Sequence, residues 1–259
     1  MPCLYLHYAS RLNSGVRPLM EMKSYTLENA HQVHEFFRSY APDPPTGWWF
    51  RGQASSDWKL VPKAGRPPYR LPNERHLGRF RAWTRAAIAY DSDLPTNDWE
   101  RLAIAQHFGL ATCLLDWTYN PVVALYFCCS ELPEKDGAVY CYDPDIFVKD
   151  STLPLDEKLE INGGGYIPRS ISTRIINQKA VFSVYSLPSQ ELKVKKSGIW
   201  KDHPNLVKLI IPFTQKSEVL KMLDVYGINH VGLFPDLQGL SSHINWETEC
   251  IAKSRKNVA

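Results

Sequence analysis

QHFGLATCLLDWTYNPVVALYFCC, residues 106–129, decides how this chain folds. Gly109 stands where a helix stops, because glycine enters the left-handed conformation at little steric cost. Cys113, Leu114 and Leu115 form an apolar run too short for a helix and bounded by turn signals, which predicts a buried strand. Asp116, Trp117 and Thr118 arrive together at the end of that strand. Asn120 is a good helix cap and Pro121 suits the first helical position. Residues 122–129 are apolar on every face, so the helix they form is expected to be buried on all sides. An acid between two buried elements is costly unless it is paired. Asp116 therefore caps the helix, closes an ion pair, or is held there for chemistry.

Working outward, the chain before this stretch alternates helices with loops. Thr26 can cap a helix over residues 27–40, with Leu27, Ala30, Val33 and Phe37 on one face. Pro42, Pro44, Pro45 and Gly47 then break it. Residues 48–53, WWFRGQ, read as an aromatic strand ending in an arginine and a glycine. Gly52 permits a sharp turn or the close approach of a ligand. Arg51 is then either a cation beside that opening or the partner of a core acid such as Asp116. Residues 54–72 read as an irregular loop carrying Lys59, Lys63, Arg66 and Arg70, followed by a helix over 73–90 with Arg75, Arg79, Arg81 and Arg85. Such basic residues form a solvated face or guide a phosphate-bearing ligand or nucleic acid. A helix from Asp98 brings Gln106 and His107 to its end. There they either meet a ligand or satisfy the helix terminus.

Beyond the central stretch, residues 138–142 predict a strand and residues 144–169 a loop-rich excursion that includes Gly163, Gly164 and Gly165. Without a following cap and lysine, that triple glycine is not a phosphate loop and reads as a surface segment over a cleft. Strands follow at 180–185, 206–211 and 231–234. Thr214 caps a helix ending at Gly227, and residues 235–240 turn into a last helix before a frayed tail at 253–259. The mixture lacks strict βαβ alternation, which predicts an α+β fold with a largely antiparallel sheet. The expected organisation is an N-terminal extension (1–23), one domain (24–250) and a C-terminal tail (251–259).

A net charge of +3 does not by itself call for a nucleic-acid partner. No apolar run has the length of a membrane span and no signal-peptide pattern opens the chain, so no membrane partner and a cytoplasmic location are expected. The six cysteines form no CxxC pair and several sit in apolar segments, as reduced core thiols do. No metal is expected, since His31 and His34 lack further ligands nearby and read as surface residues.

Four ordered segments resemble the FRG domain family, between residues 48 and 244. They are Phe50-Arg51-Gly52-Gln53; the run from Gln106-His107 through Thr112, Leu114-Leu115-Asp116-Trp117-Thr118 and Pro121 to Ala124-Leu125-Tyr126-Phe127; Arg174 and Gln178 before the Phe182 strand; and Phe234-Pro235-Asp236-Leu237 with Gly239-Leu240. The order of Arg51, Asp116-Trp117-Thr118 and a residue before a later strand is also similar to the arginine-type ADP-ribosyltransferases. Where those enzymes place a glutamate, this chain has Gln178.

That second resemblance implies an ADP-ribosyltransferase-like fold, a split and largely antiparallel sheet flanked by helices, with NAD as substrate. The implied function is an ADP-ribosyltransferase or NAD glycohydrolase, a toxin or antiphage defence effector modifying protein or nucleic acid. Arg51, Asp116 and Gln178 would be catalytic. Arg51, Gln53, Gln106, His107, Trp117, Thr118 and Tyr119 would bind the nucleotide, with Trp117 or Tyr119 stacking on nicotinamide and Thr118 holding the ribose. Cleavage of the nicotinamide–ribose bond passes through an oxocarbenium-like state that a carboxylate stabilises, and Asp116 would supply it. An arginine fork matches phosphate oxygens. Glu247 and Glu249 have the Glu-x-Glu spacing of many such transferases but follow the last family segment, so they read as an exposed pair. Two alternatives stand beside the enzyme. One is a non-catalytic nucleotide-sensing module, favoured by the missing glutamate. The other is a hydrolase or nuclease using His107 and Asp116 as a general-base pair.

Overall fold

The computed structural model describes residues 18–40, 47–72, 75–149, 153–156, 159–169, 178–198 and 202–256. The chain begins with β1 (Lys23–Thr26), α1 (Gln32–Ser39), β2 (Trp49–Gln53), α2 (His76–Ala87) and α3 (Asp98–His107). The central stretch supplies β3 (Leu114–Thr118) and α4 (Pro121–Cys129), and then come β4 (Gly137–Tyr142), β5 (Asn162–Tyr166), β6 (Ala180–Tyr185) and β7 (Leu206–Ile211). Three helices close the order: α5 (Phe213–Val225), α6 (His230–Leu233) and α7 (Leu237–Lys256). The fold is mixed, seven α-helices with one mostly antiparallel sheet among the described residues.

The seven strands run β1-β7-β4-β2-β3-β6-β5 across the sheet. The β1–β7 pair is parallel, and the other five neighbours are antiparallel. The β2–β4 pair is registered over five residues, from Trp49 opposite Tyr142 to Gln53 opposite Ala138. Between β2 and β3 a single pair is registered, Phe50 opposite Thr118. The two strands diverge from that point, and the sheet opens between them.

Helices cover one sheet face in two groups, on either side of this opening. On the β2 side, Phe50, Val139, Cys141, Val207, Leu209 and Ile211 pack with α1, α4 and α5 through Phe37, Leu125, Cys128, Val219 and Leu223. On the β3 side, Leu114, Phe182 and Val184 pack with α2 and α3 through Phe80, Trp99 and Leu102. The opposite face carries Trp49, Leu115, Trp117, Tyr140, Tyr142 and Tyr185. This is the period-two alternation of half-buried strands.

Local chemistry explains the element ends. Asn120 accepts from the Val122 N–H and Pro121 opens α4, as the residues predict. Six of the nine α4 residues are buried; Val122 and Phe127 pack at the margin. Asn97 caps α3 by accepting from the Trp99 and Glu100 N–H groups. Gly109 has φ +88°, and the Gly109 and Leu110 N–H groups bond back to Gln106 and Ala105, closing the end of α3.

Several expectations fail for identifiable reasons. Thr26 caps no helix: it ends β1, and α1 starts later, where Asn29 accepts from the His31 and Gln32 N–H groups. With β1 paired to β7, the sheet already includes Lys23, the last residue assigned to the N-terminal extension. The triple glycine is not a surface excursion but β5, paired with β6. A side chain at Gly165 would strike the Trp49 indole 2.6 Å away. Residues 231–234 form no strand. Asn229 accepts from the Gly232 N–H and starts α6 instead. The last helix continues to Lys256, into the expected tail. Asn73 and Arg174 lie outside the described residues.

Candidate functional site

Where β2 and β3 part there is a cavity of about 680 Å³, within the range of small-molecule sites. Its floor is the split sheet. Its walls are α4, through Val123, Ala124 and Phe127, and the end of α3, through Gln106, His107 and Gly109. Arg51, Gln53, Asp116, Thr118 and Gln178, drawn from three distant parts of the chain, all line it.

Arg51 occupies the opening. Its Nη1 donates to the Asp116 carbonyl at 2.8 Å and lies 3.6 Å from Asp116 Oδ2. The guanidinium therefore bridges strands that no longer bond to each other through their backbones. Its side chain is only 16% exposed, whereas that of Asp116 is 56% exposed. Burial pushes the Arg51 pKa below its ordinary value, and the Asp116 carboxylate opposes that shift. Arg51 Nε is buried without a hydrogen-bond partner, and so is Gln53 Oε1.

Gln106 steadies the acid. Its Nε2 donates to Asp116 Oδ1 at 3.1 Å and to the Leu114 carbonyl at 3.2 Å. The Thr112 hydroxyl donates to Gln106 Oε1, fixing the amide. Asp116 is thus neither a helix cap nor sealed in the core. It is an exposed carboxylate held by an amide on one oxygen and approached by a guanidinium on the other.

The other expected site residues are placed as follows. Trp117 is among the residues lining the cavity, while its indole packs in the opposite-face core, 2% exposed, and donates to Ser183 Oγ at 2.7 Å. Tyr119 packs edge-to-face on Trp49 and is not among the residues lining the cavity. The Thr118 hydroxyl, at the cavity lining, donates to the Gln178 carbonyl at 2.6 Å and accepts from the Asn120 N–H at 2.9 Å, so it ties the Gln178 turn to β3. Gln178 Nε2 reaches the Leu233 carbonyl at 3.4 Å, a long contact that a better acceptor would displace. Gly52 admits a helix rather than a ligand. A Cβ there would lie 1.8 Å from the Ala124 carbonyl oxygen. Glu247 faces His243 on α7 and is not part of the cavity lining.

The cavity's third wall is the irregular loop after β2, whose basic residues have as one of their two expected roles the guiding of a phosphate-bearing ligand, and to which the structure adds Trp58 and Tyr69. Trp58, Lys63, Arg66 and Tyr69 line the cavity. Arg66 Nε donates to the Val61 carbonyl at 2.7 Å; burial and then the nearby Arg51 lower its pKa. Lys63 Nζ sits 5.0 Å from the Tyr69 ring centre. The concentration of lysine and arginine in this loop was the available signal.

Residues 46–137 match the family model of the FRG domain. The match runs from the start of β2 to the first residue of β4 and includes Arg51, Gly52, Gln106 and Asp116, but not Gln178. No curated protein and no solved structure matches the chain. Among the described residues no helix is long and apolar enough to cross a membrane, and no group of three or more His, Cys, Asp or Glu side chains is placed to hold a metal ion.

Proposed function

We propose that the cavity binds NAD and that the domain is an ADP-ribosyltransferase-like enzyme that breaks the nicotinamide–ribose bond. The observation that carries this reading is the convergence of Arg51, Asp116 and Gln178 on one cavity at the parting of β2 and β3. The Arg51 guanidinium at the opening is suited to a pyrophosphate oxygen, with Arg66 and Lys63 adding positive charge at the cavity lining. Asp116, steadied by Gln106, offers a carboxylate to the positive charge that grows at the anomeric carbon. As the carbon–nitrogen bond breaks, nicotinamide leaves as the neutral base. Water or an acceptor nucleophile forms the new bond to that carbon and loses its proton. Gln178 is suited to the ribose 2′-hydroxyl through its amide.

A second reading, a nucleotide sensor without turnover, is favoured by one observation. Arg51 lies against the only carboxylate on β3, and Gln178 brings no charge. Nicotinamide release, followed by chromatography with wild type, Asp116→Asn and Arg51→Ala, tests both. Release by wild type and its loss in either variant supports the enzyme. A thermal shift with NAD but no release supports the sensor. No shift and no release overturns both.

A further inference from the structure

Charge in this chain is segregated, and the segregation lies at the cavity mouth. Residues 54–90 hold eight lysines and arginines against two acids, a net +6, so the rest of the chain is net −3. The overall +3 conceals this. Lys63 and Arg66 line the cavity, and Arg79 continues the surface outward. Its Nη2 donates to the Tyr69 carbonyl and its Nη1 to the Ala111 carbonyl, with the guanidinium 5.9 Å from the Tyr69 ring centre. Arg70, Arg75, Arg81 and Arg85 are all exposed on the same loop and on α2. Two aromatic side chains sit among these cations at the cavity itself: Trp58, 43% exposed, and Tyr69, 41% exposed.

Large half-exposed rings are costly to leave in water, and their position is informative. An acidic protein surface would be served by the cations alone. A duplex would present phosphates but keep its base faces stacked inside. A single strand offers both phosphates for the cations and base faces for the rings, in alternation along one chain. We propose that this rim binds single-stranded nucleic acid and leads it to the cavity as the acceptor. Its role as acceptor rests on the NAD chemistry proposed above; its binding does not. Trp58 stacks on a base at the mouth, Tyr69 is held beside it by Lys63 and Arg79, and the outer arginines follow the backbone.

The test is fluorescence anisotropy without NAD, using labelled oligothymidine and oligouridine of about 20 nucleotides to separate DNA from RNA. Competitors are a duplex of the same length and polyglutamate. With roughly four phosphates engaged, log affinity against log salt should fall with a slope near −3. Replacing Arg70 and Arg81 together with alanine should flatten that slope by about 1.4. Trp58→Ala should weaken binding about tenfold while leaving the slope unchanged, and Trp58→Phe should restore most of it. Equal competition by duplex or polyglutamate, or an unaltered affinity in Trp58→Ala, overturns the proposal, as does the absence of binding. Oligonucleotide binding without nicotinamide release sinks the enzyme and spares the rim; release without oligonucleotide binding does the reverse.

Discussion

Strand β2 has two unlike edges. Along β4 it is paired for its whole length, and on its helix-covered face Gly52 lets α4 approach until backbone meets backbone. Along β3 it is paired once, and a side chain, Arg51, bridges what the backbones leave open. One five-residue strand therefore serves as a packed element on one side and as a cavity wall on the other. The difference teaches where tolerance lies. Substitutions on the β4 and α4 side act on folding, and those on the β3 side act on whatever the cavity binds.

Four experiments would break or sharpen that contrast. The largest effect is expected for Gly52→Ala, whose methyl would meet the Ala124 carbonyl oxygen. Its collision is with backbone, so it should cost about 3 kcal/mol or more in chemical denaturation. A melting temperature close to wild type would mean the packed edge is not packed.

Lys216 comes next. It is 1% exposed, and its Nζ donates to the carbonyls of Ala54, Glu131 and Leu132, joining α5 to the loops after β2 and α4. Lys216→Met removes the donor shared by three carbonyls, that of Ala54 buried and the others partly so, and should destabilise by about 2 kcal/mol or more. An unchanged denaturation midpoint would show that water replaces the lysine.

Asp116→Asn belongs to the open edge. The Asp116 main-chain carbonyl still accepts from Arg51, and a carboxylate 56% exposed and 3.6 Å from the guanidinium is well screened by water, so stability should change by less than about 1 kcal/mol. Nicotinamide release, if the enzyme reading holds, should fall about 100-fold or more. A large loss of stability instead would make the pair structural.

The smallest effect concerns pH. Burial, and then the neighbouring His243, push the His230 pKa below its ordinary value, against the pull of Asp236; His203 is lowered too. As pH falls below about 6.5, the unfolded chain takes up protons before the folded one, so stability present at neutral pH is lost on acidification. The Tyr126 hydroxyl lies 2.5 Å from His230 Nδ1, which the neutral imidazole can present as an acceptor. Melting temperature should decline from pH 7 to 5.5, and less steeply in His230→Gln. A steeper decline in the variant would contradict the assignment.

Much of this was legible one residue at a time. Asn120, Pro121 and Gly109 act through their own backbone geometry, so the ends of α3 and α4 follow from local chemistry. The alternation of Asp116 with Leu115 and Trp117 also carries information. A strand read through to Thr118 sends the indole to one face and the carboxylate to the other, as the structure has it. Three glycines in a row, by contrast, are locally a loop. They become a strand by pairing with β6, and Trp49 and Phe147 leave no room beside Gly165 for a side chain.

By itself, then, the order of residues determined helix ends, the buried helix α4, a mixed fold with a mostly antiparallel sheet, and the candidates Arg51, Asp116 and Gln178. Only the tertiary structure decided that β2 and β3 separate after one pair, that Gln106 holds the acid, and that the basic loop after β2 forms the third wall. The physical reason is range. Caps and turns are set by atoms a few residues apart, whereas a cavity exists where distant segments fail to close on each other.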